Sequence, residues 1–423
     1  MVMRLPLSKR FTMTTTLLQE IANTYGTPTY VYDANLIESQ YDKLKHAFPG
    51  HDVKIHYALK ALNNINILRI LRLKGSGLDA VSIEEVQLGL RAGFQANQIM
   101  YTPNCVSFEE IEQAVRIGVQ INIDNLSILE KFGQTYGNTV PCCIRLNPHI
   151  MAGGNSNISV GHIDSKFGIS IHQIKHIERI VTHYDMHING LHMHTGSDII
   201  DGDVFIRGAA LMYEAAFHFP NLVFMDFGSG FKVAYKTGDI VTDIERIGKK
   251  IAKSFDEFCA RYGKKLELWF EPGKYIVSEA GQFLVEVNVV KQTTSTVFAG
   301  VNSGQNHLIR PMFYNAYHHI ENISNEGGEP KLYSVVGNIC ESDTFGYDRL
   351  LAEVRVGDIL SIHNAGAYGF TMSNQYNSRL RPAEVLVKDE QAFLIRKRET
   401  FEDLIRNEVE LEQFKDELNQ QQF

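Results

Sequence analysis

The chain has 423 residues, 44% hydrophobic and 21% charged, with a formal net charge of −8 and an isoelectric point near 6.1. That length exceeds one ordinary core and suits two domains, one large enough for a barrel of about 250 residues. Lys and Arg are scattered, which excludes a basic field for nucleic acid, and no apolar run approaches a membrane span.

The five cysteines, Cys105, Cys142, Cys143, Cys259 and Cys340, are odd in number and lack CxxC spacing. Neither a disulfide framework nor a zinc site is indicated, and a reducing, cytoplasmic compartment fits. Residues 1–12 carry Arg4, Lys9 and Arg10 without the apolar core of a signal peptide. They read as a dispensable leader, with Met13 as an alternative start.

Thr29 to Asp33 (Thr-Tyr-Val-Tyr-Asp) is strand-like, and it precedes the main pattern closely enough to pair with a later domain instead. From Val53 onward a short apolar strand, a polar residue and a helical stretch recur. The spacing predicts strands over Val53–Lys60, Gly77–Ser82, Gln98–Asn104, Gln120–Asn125, Pro141–Pro148, Ile188–Gly196, Leu222–Gly228 and Leu266–Gly273. Helical periods lie between them: around Ile65–Leu71, then Ile83–Ala92 with Ser82 as N-cap, Ser107–Ile117, Ser170–His183, Asp203–His218 and Thr242–Tyr262. Eight such units argue for a (β/α)₈ TIM-type barrel over an open doubly wound sheet.

After Glu279 the pattern changes. Gln282–Val290, Thr293–Ala299, Lys331–Val336, Ile359–His363 and Glu384–Arg396 read as strands separated by Gly, Asn and Pro turns, with no strong helices between. The expected organisation is α/β: an N-terminal segment over 1–34 that partly pairs with the β domain, the barrel over 35–280, an all-β domain over 281–400, and a charged tail over 401–423.

In a barrel of this kind the chemistry gathers at the carboxyl ends of the strands. Those ends carry Lys60, Asp79, Asn104, Asp124, Arg145 with Asn147, His192 with His194 and Ser197, Asp226 with Gly228, and Glu271 with Gly273, a polar ring that points to one site. Lys60 closes an apolar strand, Tyr-Ala-Leu-Lys60-Ala. Desolvation there drives an ammonium toward the neutral amine that Schiff-base chemistry needs, whereas the plain alternative is a lysine that snorkels into water.

His192 and His194, spaced i and i+2, point the same way from a strand. That suggests metal ligation, a structural pair, or a ring stacked on a cofactor, and the metal reading lacks a third nearby ligand. The Gly228-Ser-Gly230 turn leaves backbone N–H groups free for a phosphate, though an ordinary tight turn has the same sequence. Glu271-Pro-Gly273-Lys274 sets a carboxylate at the barrel mouth, suited to holding a ring nitrogen protonated or simply beginning a turn.

Taken together, Tyr-Ala-Leu-Lys60-Ala, His-Met-His194-Thr-Gly-Ser197, the Gly228/Gly230 turn, Glu271-Pro-Gly, Cys340-Glu341-Ser-Asp343 and Ala-Gly-Ala-Tyr368 resemble the diaminopimelate decarboxylase family. The match spans residues near 25 to 385. It implies decarboxylation of meso-2,6-diaminopimelate to L-lysine and carbon dioxide, the last step of lysine biosynthesis, with pyridoxal 5'-phosphate held on Lys60 as an internal aldimine and no metal.

The resemblance further implies that His194 stacks on the cofactor ring and Glu271 faces its nitrogen. Ser197, Gly228, Gly230, Gly273, Lys274 and Tyr368 would surround the phosphate or substrate. Arg310, Tyr314 and Glu341 would grip the far amino-carboxylate, with Cys340 donating the proton that replaces carbon dioxide. The implied assembly is a homodimer whose Cys340-Glu341 segment reaches the partner's barrel.

One position departs from the family pattern. Lys274 stands where the family has Arg, a point charge in place of a bidentate fork. Decarboxylation of ornithine, arginine or carboxynorspermidine is the alternative reading, and a non-catalytic pyridoxal-phosphate carrier a third. Arg310 with the paired Cys340-Glu341 is the discriminating feature, because simple diamine precursors have no distal carboxylate for the Arg to pair with.

Overall fold

The computed structural model describes residues 13–150, 165–196, 199, 202–236 and 238–415. It opens with helix α1 (Thr15–Tyr25), strand β1 (Thr29–Asp33) and helix α2 (Ala34–Lys45), whose first turn is capped by the Asp33 side chain. Barrel strands and helices then alternate: β2 (Lys54–Ala58), α3 (Ile65–Leu73), β3 (Gly77–Ala80), α4 (Ile83–Ala92), β4 (Ile99–Tyr101), α5 (Phe108–Ile117), β5 (Gln120–Ile123), α6 (Leu126–Tyr136) and β6 (Cys142–Asn147). A two-residue strand β7 (Ile169–Ser170) follows, then α7 (Ile174–His183), β8 (Ile188–His192), α8 (Gly202–Ala216), β9 (Phe224–Asp226), α9 (Ile244–Tyr262), β10 (Glu267–Phe270) and the short α10 (Lys274–Val277).

Eight of these strands close on themselves in the order β5-β4-β3-β2-β10-β9-β8-β6, with β6 paired back to β5. The local sequence explains the alternation. Ser82 and Ser107 cap α4 and α5 through side-chain oxygens, while Gly93 and Gly118 end those helices in the left-handed region that glycine adopts without a Cβ penalty. The strands are short and apolar because both faces of a parallel barrel are covered.

Inward-facing residues recur with period two, so Met100, Cys143, Phe224 and Trp269 form a floor layer beneath Thr102, Arg145, Asp226 and Glu271. The floor is apolar: Met100, Cys143 and Phe224 cluster with Trp269, and the Phe224 and Trp269 rings stack at 3.7 Å. Gly190 makes room for this plug, since a Cβ there would lie 2.1 Å from the Phe224 ring.

The second sheet contains β11 (Gly281–Gln292), β12 (Val297–Val301), β13 (Ile320–Asn322), β14 (Pro330–Val336), β15 (Thr344–Ala352), β16 (Ile359–Ile362), β17 (Ala383–Lys388) and β18 (Gln391–Arg396). A one-turn helix, α11 (Arg310–Tyr314), interrupts it, and α12 (Phe401–Ile405) follows it. β1 lies in this sheet, antiparallel to β11 and parallel to β17. Buried Glu384 on β17 ties the sheet to the barrel, accepting hydrogen bonds from Tyr32 Oη at 2.8 Å and from Asn64 Nδ2, the cap of α3, at 2.9 Å. Arg396 pairs with the same carboxylate.

The structure departs from the sequence expectations in several places. Lys60 does not end a strand; it sits in a 3₁₀ turn (Leu59–Ala61) after β2. The strand expected over Glu384–Arg396 is a hairpin that reverses at Asp389 and Glu390, both with positive φ. Thr293 to Thr296 is a turn closed by its own backbone and hydroxyl bonds, so β12 begins only at Val297. Helices α1, α2 and α6 and strands β13 and β15 carry no expectation from the sequence, although Leu18, Ile21 and Ala22 of α1 and Ile37, Tyr41 and Leu44 of α2 bury one face at helical spacing. The proposed leader, residues 1–12, lies outside the described residues, as does Ser197.

Candidate active site

A cavity of about 380 Å³ lies over the polar layer at the carboxyl end of the barrel. Its walls include Lys60, Asn104, Arg145, His192, His194, Gly230, Glu271, Gly273, Lys274 and Tyr368. Asp79 and Asp226 sit just behind this surface, fully buried.

Lys60 reaches into the cavity, and the 45% exposure of its side chain is exposure to that space. Its Nζ donates to Asp79 Oδ2 at 2.8 Å. Burial pulls the ammonium's pKa down, but Asp79, Tyr368 and Glu271 together outweigh burial and leave it raised. This corrects the expectation of a lysine neutralised by desolvation, because its neighbours favour the charged amine. The correction lay in the next strand, since β3 pairs with β2 in a register that sets Asp79 opposite Ala58.

Across the mouth, burial pushes the Glu271 carboxyl up to about 7, with Lys60 and Arg145 opposing the rise. Its Oε2 bonds His192 Nε2 at 2.8 Å, while Oε1 is buried without a partner among the described residues. Asp226 is lifted well above the ordinary carboxylate range by burial and by Glu271. The ligand atoms of His192, Asp226 and Glu271 lie within 4.8 Å of one another. The sequence offered no third metal ligand beside the histidine pair, and the fold supplies two carboxylates. However, the His192–Glu271 hydrogen bond already engages one atom of each.

The two histidines do different things. His194 is held neutral by burial and by the Arg145 cation, and its Nδ1 accepts a hydrogen bond from the Ser229 backbone N–H at 3.3 Å. That contact places the ring proton on Nε2. Gly228 and Gly230 have positive φ. A Cβ on Gly228 would meet His194 Nδ1 at 2.7 Å, and one on Gly230 would meet Gly196 O at 2.2 Å. Only glycine permits this close approach of the turn to the His194 strand end.

The second sheet closes the rim. Tyr368, in the left-handed region, donates its N–H to Ala61 O at 2.8 Å and so braces the Lys60 turn. Arg310 is 8% exposed, and no carboxylate among the described residues pairs with it. Its Nη2 donates to Tyr235 Oη at 3.1 Å, and its guanidinium lies 5.7 to 5.9 Å from the ring centres of Tyr235, Tyr314 and Tyr368. Tyr235 carried no signal in the sequence beyond following the Gly228 turn.

Cys340 and Glu341 are not brought to this cavity. Both are exposed; Cys340 Sγ accepts from Asn377 Nδ2 at 3.2 Å, and Glu341 accepts from Tyr376 Oη. Buried Asp343 shapes their loop by accepting from the Gln305 and Ile339 N–H groups.

The closed parallel barrel with a lysine in its mouth and a β domain over its rim is the architecture of barrel-type pyridoxal enzymes, and residues 34–278 match the family described as pyridoxal-dependent decarboxylase, pyridoxal binding domain. The chain is 38% identical over 92% of its length to the diaminopimelate decarboxylase of Methanothermobacter thermautotrophicus, covering 93% of that protein. It is 33% identical over 91% of its length to that of Bacillus subtilis, covering 92%. The crystal structure of diaminopimelate decarboxylase from Helicobacter pylori complexed with L-lysine superposes with a TM-score of 0.84 at 32% identity, covering 92% of this chain and 98% of that one. The chain belongs to the diaminopimelate decarboxylase family. A lysine/ornithine decarboxylase from Vibrio vulnificus shares the fold, with a TM-score of 0.78 at 24% identity.

Proposed function

We propose that this chain decarboxylates meso-2,6-diaminopimelate to L-lysine and carbon dioxide using pyridoxal 5'-phosphate bound at Lys60. The observation that carries the substrate choice is Arg310, a buried cation without a carboxylate partner among the described residues, beside the Lys60 cavity. A buried charge of this kind is costly until an anion meets it. Diaminopimelate has a second carboxylate to offer, whereas ornithine and arginine have none at that end.

The residues present fit the cofactor. The Glu271 oxygen Oε1 is buried and lacks a partner among the described residues, the Gly228–Gly230 turn has no space for a Cβ, and His194 presents a neutral ring. When bound, pyridoxal phosphate supplies an electron sink for the pair left behind as carbon dioxide departs. Glu271 would hold a proton at the ring nitrogen, keeping that sink strong. Asp79 orients Lys60 Nζ and holds it as the charged amine. The Gly228 N–H is taken by Asp226 Oδ1 at 2.8 Å and that of Ser229 by His194, so the Gly230 N–H, with Gly273 and Lys274, would bind the phosphate, and Ser197 would join them. Tyr368 seals the rim against water while Arg310, with Tyr314, fixes the distal end of the substrate.

Cys340 would supply the replacing proton and Glu341 a contact to the distal amine. Because neither lines the cavity of its own chain, this reading requires a second copy, a two-fold dimer in which each site draws on both chains. No helix among the described residues is long and apolar enough to cross a membrane, in keeping with the cytoplasmic location proposed here. The test is product analysis: purified protein supplied with meso-diaminopimelate, ornithine, arginine and carboxynorspermidine should release carbon dioxide and L-lysine from the first in strong preference. Faster turnover of any of the others would overturn the assignment.

A further inference from the structure

We infer that His192 is a positioning residue for the ring-nitrogen end of the cofactor: its neutral Nε2–H, donated to Glu271 Oε2, favours the anionic carboxylate and leaves Oε1 for the ring nitrogen. The inference rests on the cofactor reading above and extends it to a residue that touches neither cofactor nor substrate.

His192 ends β8 and is fully buried, in register with Arg145 of β6 on one side and Asp226 of β9 on the other. The charged groups around it are Arg145, Asp79, Lys60 and Asp124, with Asp226 and Glu271 in the same cluster. Burial first, and then the Arg145 cation, keep the ring from taking a second proton. A neutral imidazole has one proton to place. Nδ1 has no partner among the described residues and the nearby Asp226 Oδ2 none either, while Nε2 lies 2.8 Å from Glu271 Oε2. Placing the proton on Nε2 makes the one hydrogen bond the geometry offers, with the carboxylate as acceptor.

The neutrality matters chemically. An imidazolium beside Glu271 would discharge it and compete with a protonated ring nitrogen for the same anion. A neutral donor orients the carboxylate and stabilises its anionic form without cancelling its charge, so the shared proton stays on the ring nitrogen instead of moving to Oε1. Arg145 therefore contributes at one remove, by keeping His192 neutral.

The test uses pyridoxal phosphate labelled with ¹⁵N in the ring, loaded into wild-type protein and into His192→Leu, His192→Asn and His192→Gln. The ring ¹⁵N chemical shift reports directly where the proton sits. Wild type and His192→Gln, whose amide reaches as far as Nε2, should show a protonated nitrogen. His192→Leu should move the shift toward that of the deprotonated ring at the same pH, as should His192→Asn, whose amide reaches only to the place of Nδ1. For those two, kcat should fall about tenfold to a hundredfold, the worth of one hydrogen bond to a charged group, with KM for diaminopimelate and cofactor affinity unchanged. If His192→Leu does not fold, the Asn and Gln pair carries the comparison. Variants that all keep the wild-type shift would reduce His192 to a packing residue and leave the cofactor reading standing. Wild-type protein that takes up no labelled cofactor would overturn both.

Discussion

Replacing Arg310 by Met tests the substrate assignment most directly. Met keeps the length and apolar packing of the side chain between Tyr235, Tyr314 and Tyr368 while removing the charge. At 8% exposure Arg310 is poorly screened by water. A carboxylate about 4 Å from the guanidinium gains about 4 kcal/mol at an effective dielectric constant of about 20. That sits inside the range of about 2–5 kcal/mol lost when one partner of a desolvated charge pair is removed, and it corresponds to a fall of about 30- to 4000-fold in kcat/KM. The product provides an internal control. L-lysine retains the carboxylate of the centre that does not react, so its inhibition should weaken in parallel with diaminopimelate turnover. Cadaverine, which has no carboxylate, should inhibit wild type and variant equally. Steady-state kinetics with lysine and cadaverine as competitive inhibitors measures all three. A variant that loses lysine and cadaverine affinity to the same degree would show that Arg310 does not read the distal carboxylate.

Borohydride treatment of the cofactor-loaded protein should bleach its visible absorption and fix the label on Lys60; a label on any other lysine refutes the assignment of that residue. Glu271→Gln should keep the cofactor but slow decarboxylation strongly, and undiminished turnover would make Glu271 a turn residue only. The same variant has a pH signature without cofactor. Glu271 binds its proton more tightly folded, near 7, than at the ordinary 4.5, so its stabilising contribution is complete below pH 4.5 and is lost as pH rises through 7. The Tm of the Glu271→Gln protein relative to wild type should therefore rise between about pH 5 and about pH 8, and a constant difference would contradict the raised pKa. Finally, inactive Lys60→Ala and Cys340→Ala proteins, mixed equally and allowed to exchange subunits, should regain about a quarter of native activity if sites are shared across a dimer. Background activity after confirmed exchange would place Cys340 outside the partner's site.

Much of the barrel is legible in the chain because its information is local. A parallel strand covered on both faces must be a short apolar run, a helix must begin at a cap such as Ser82 and end at a glycine such as Gly93, and the period of two carries the polar residues at strand ends to one mouth. Eight repeats of that pattern leave few architectures open. The hairpin over β17 and β18 was less legible, since its turn uses Asp389 and Glu390 at positive φ instead of the glycine or asparagine that signals a reversal. Chemistry at the mouth depends on pairs distant in sequence, and these the tertiary structure alone decided. Burial by itself argues for a neutral Lys60, and only the register of β3 against β2 reveals Asp79 holding it charged. His192 and His194 look like one motif, yet the first turns to Glu271 on the far side of the chain and the second accepts a proton donor from Ser229. The sequence offers Arg310 as a cation among many; packing against three tyrosines, away from any described carboxylate, is what sets it apart. Local propensity determines which elements form, whereas the charge and proton on each site residue follow from neighbours that only folding brings within a few ångströms.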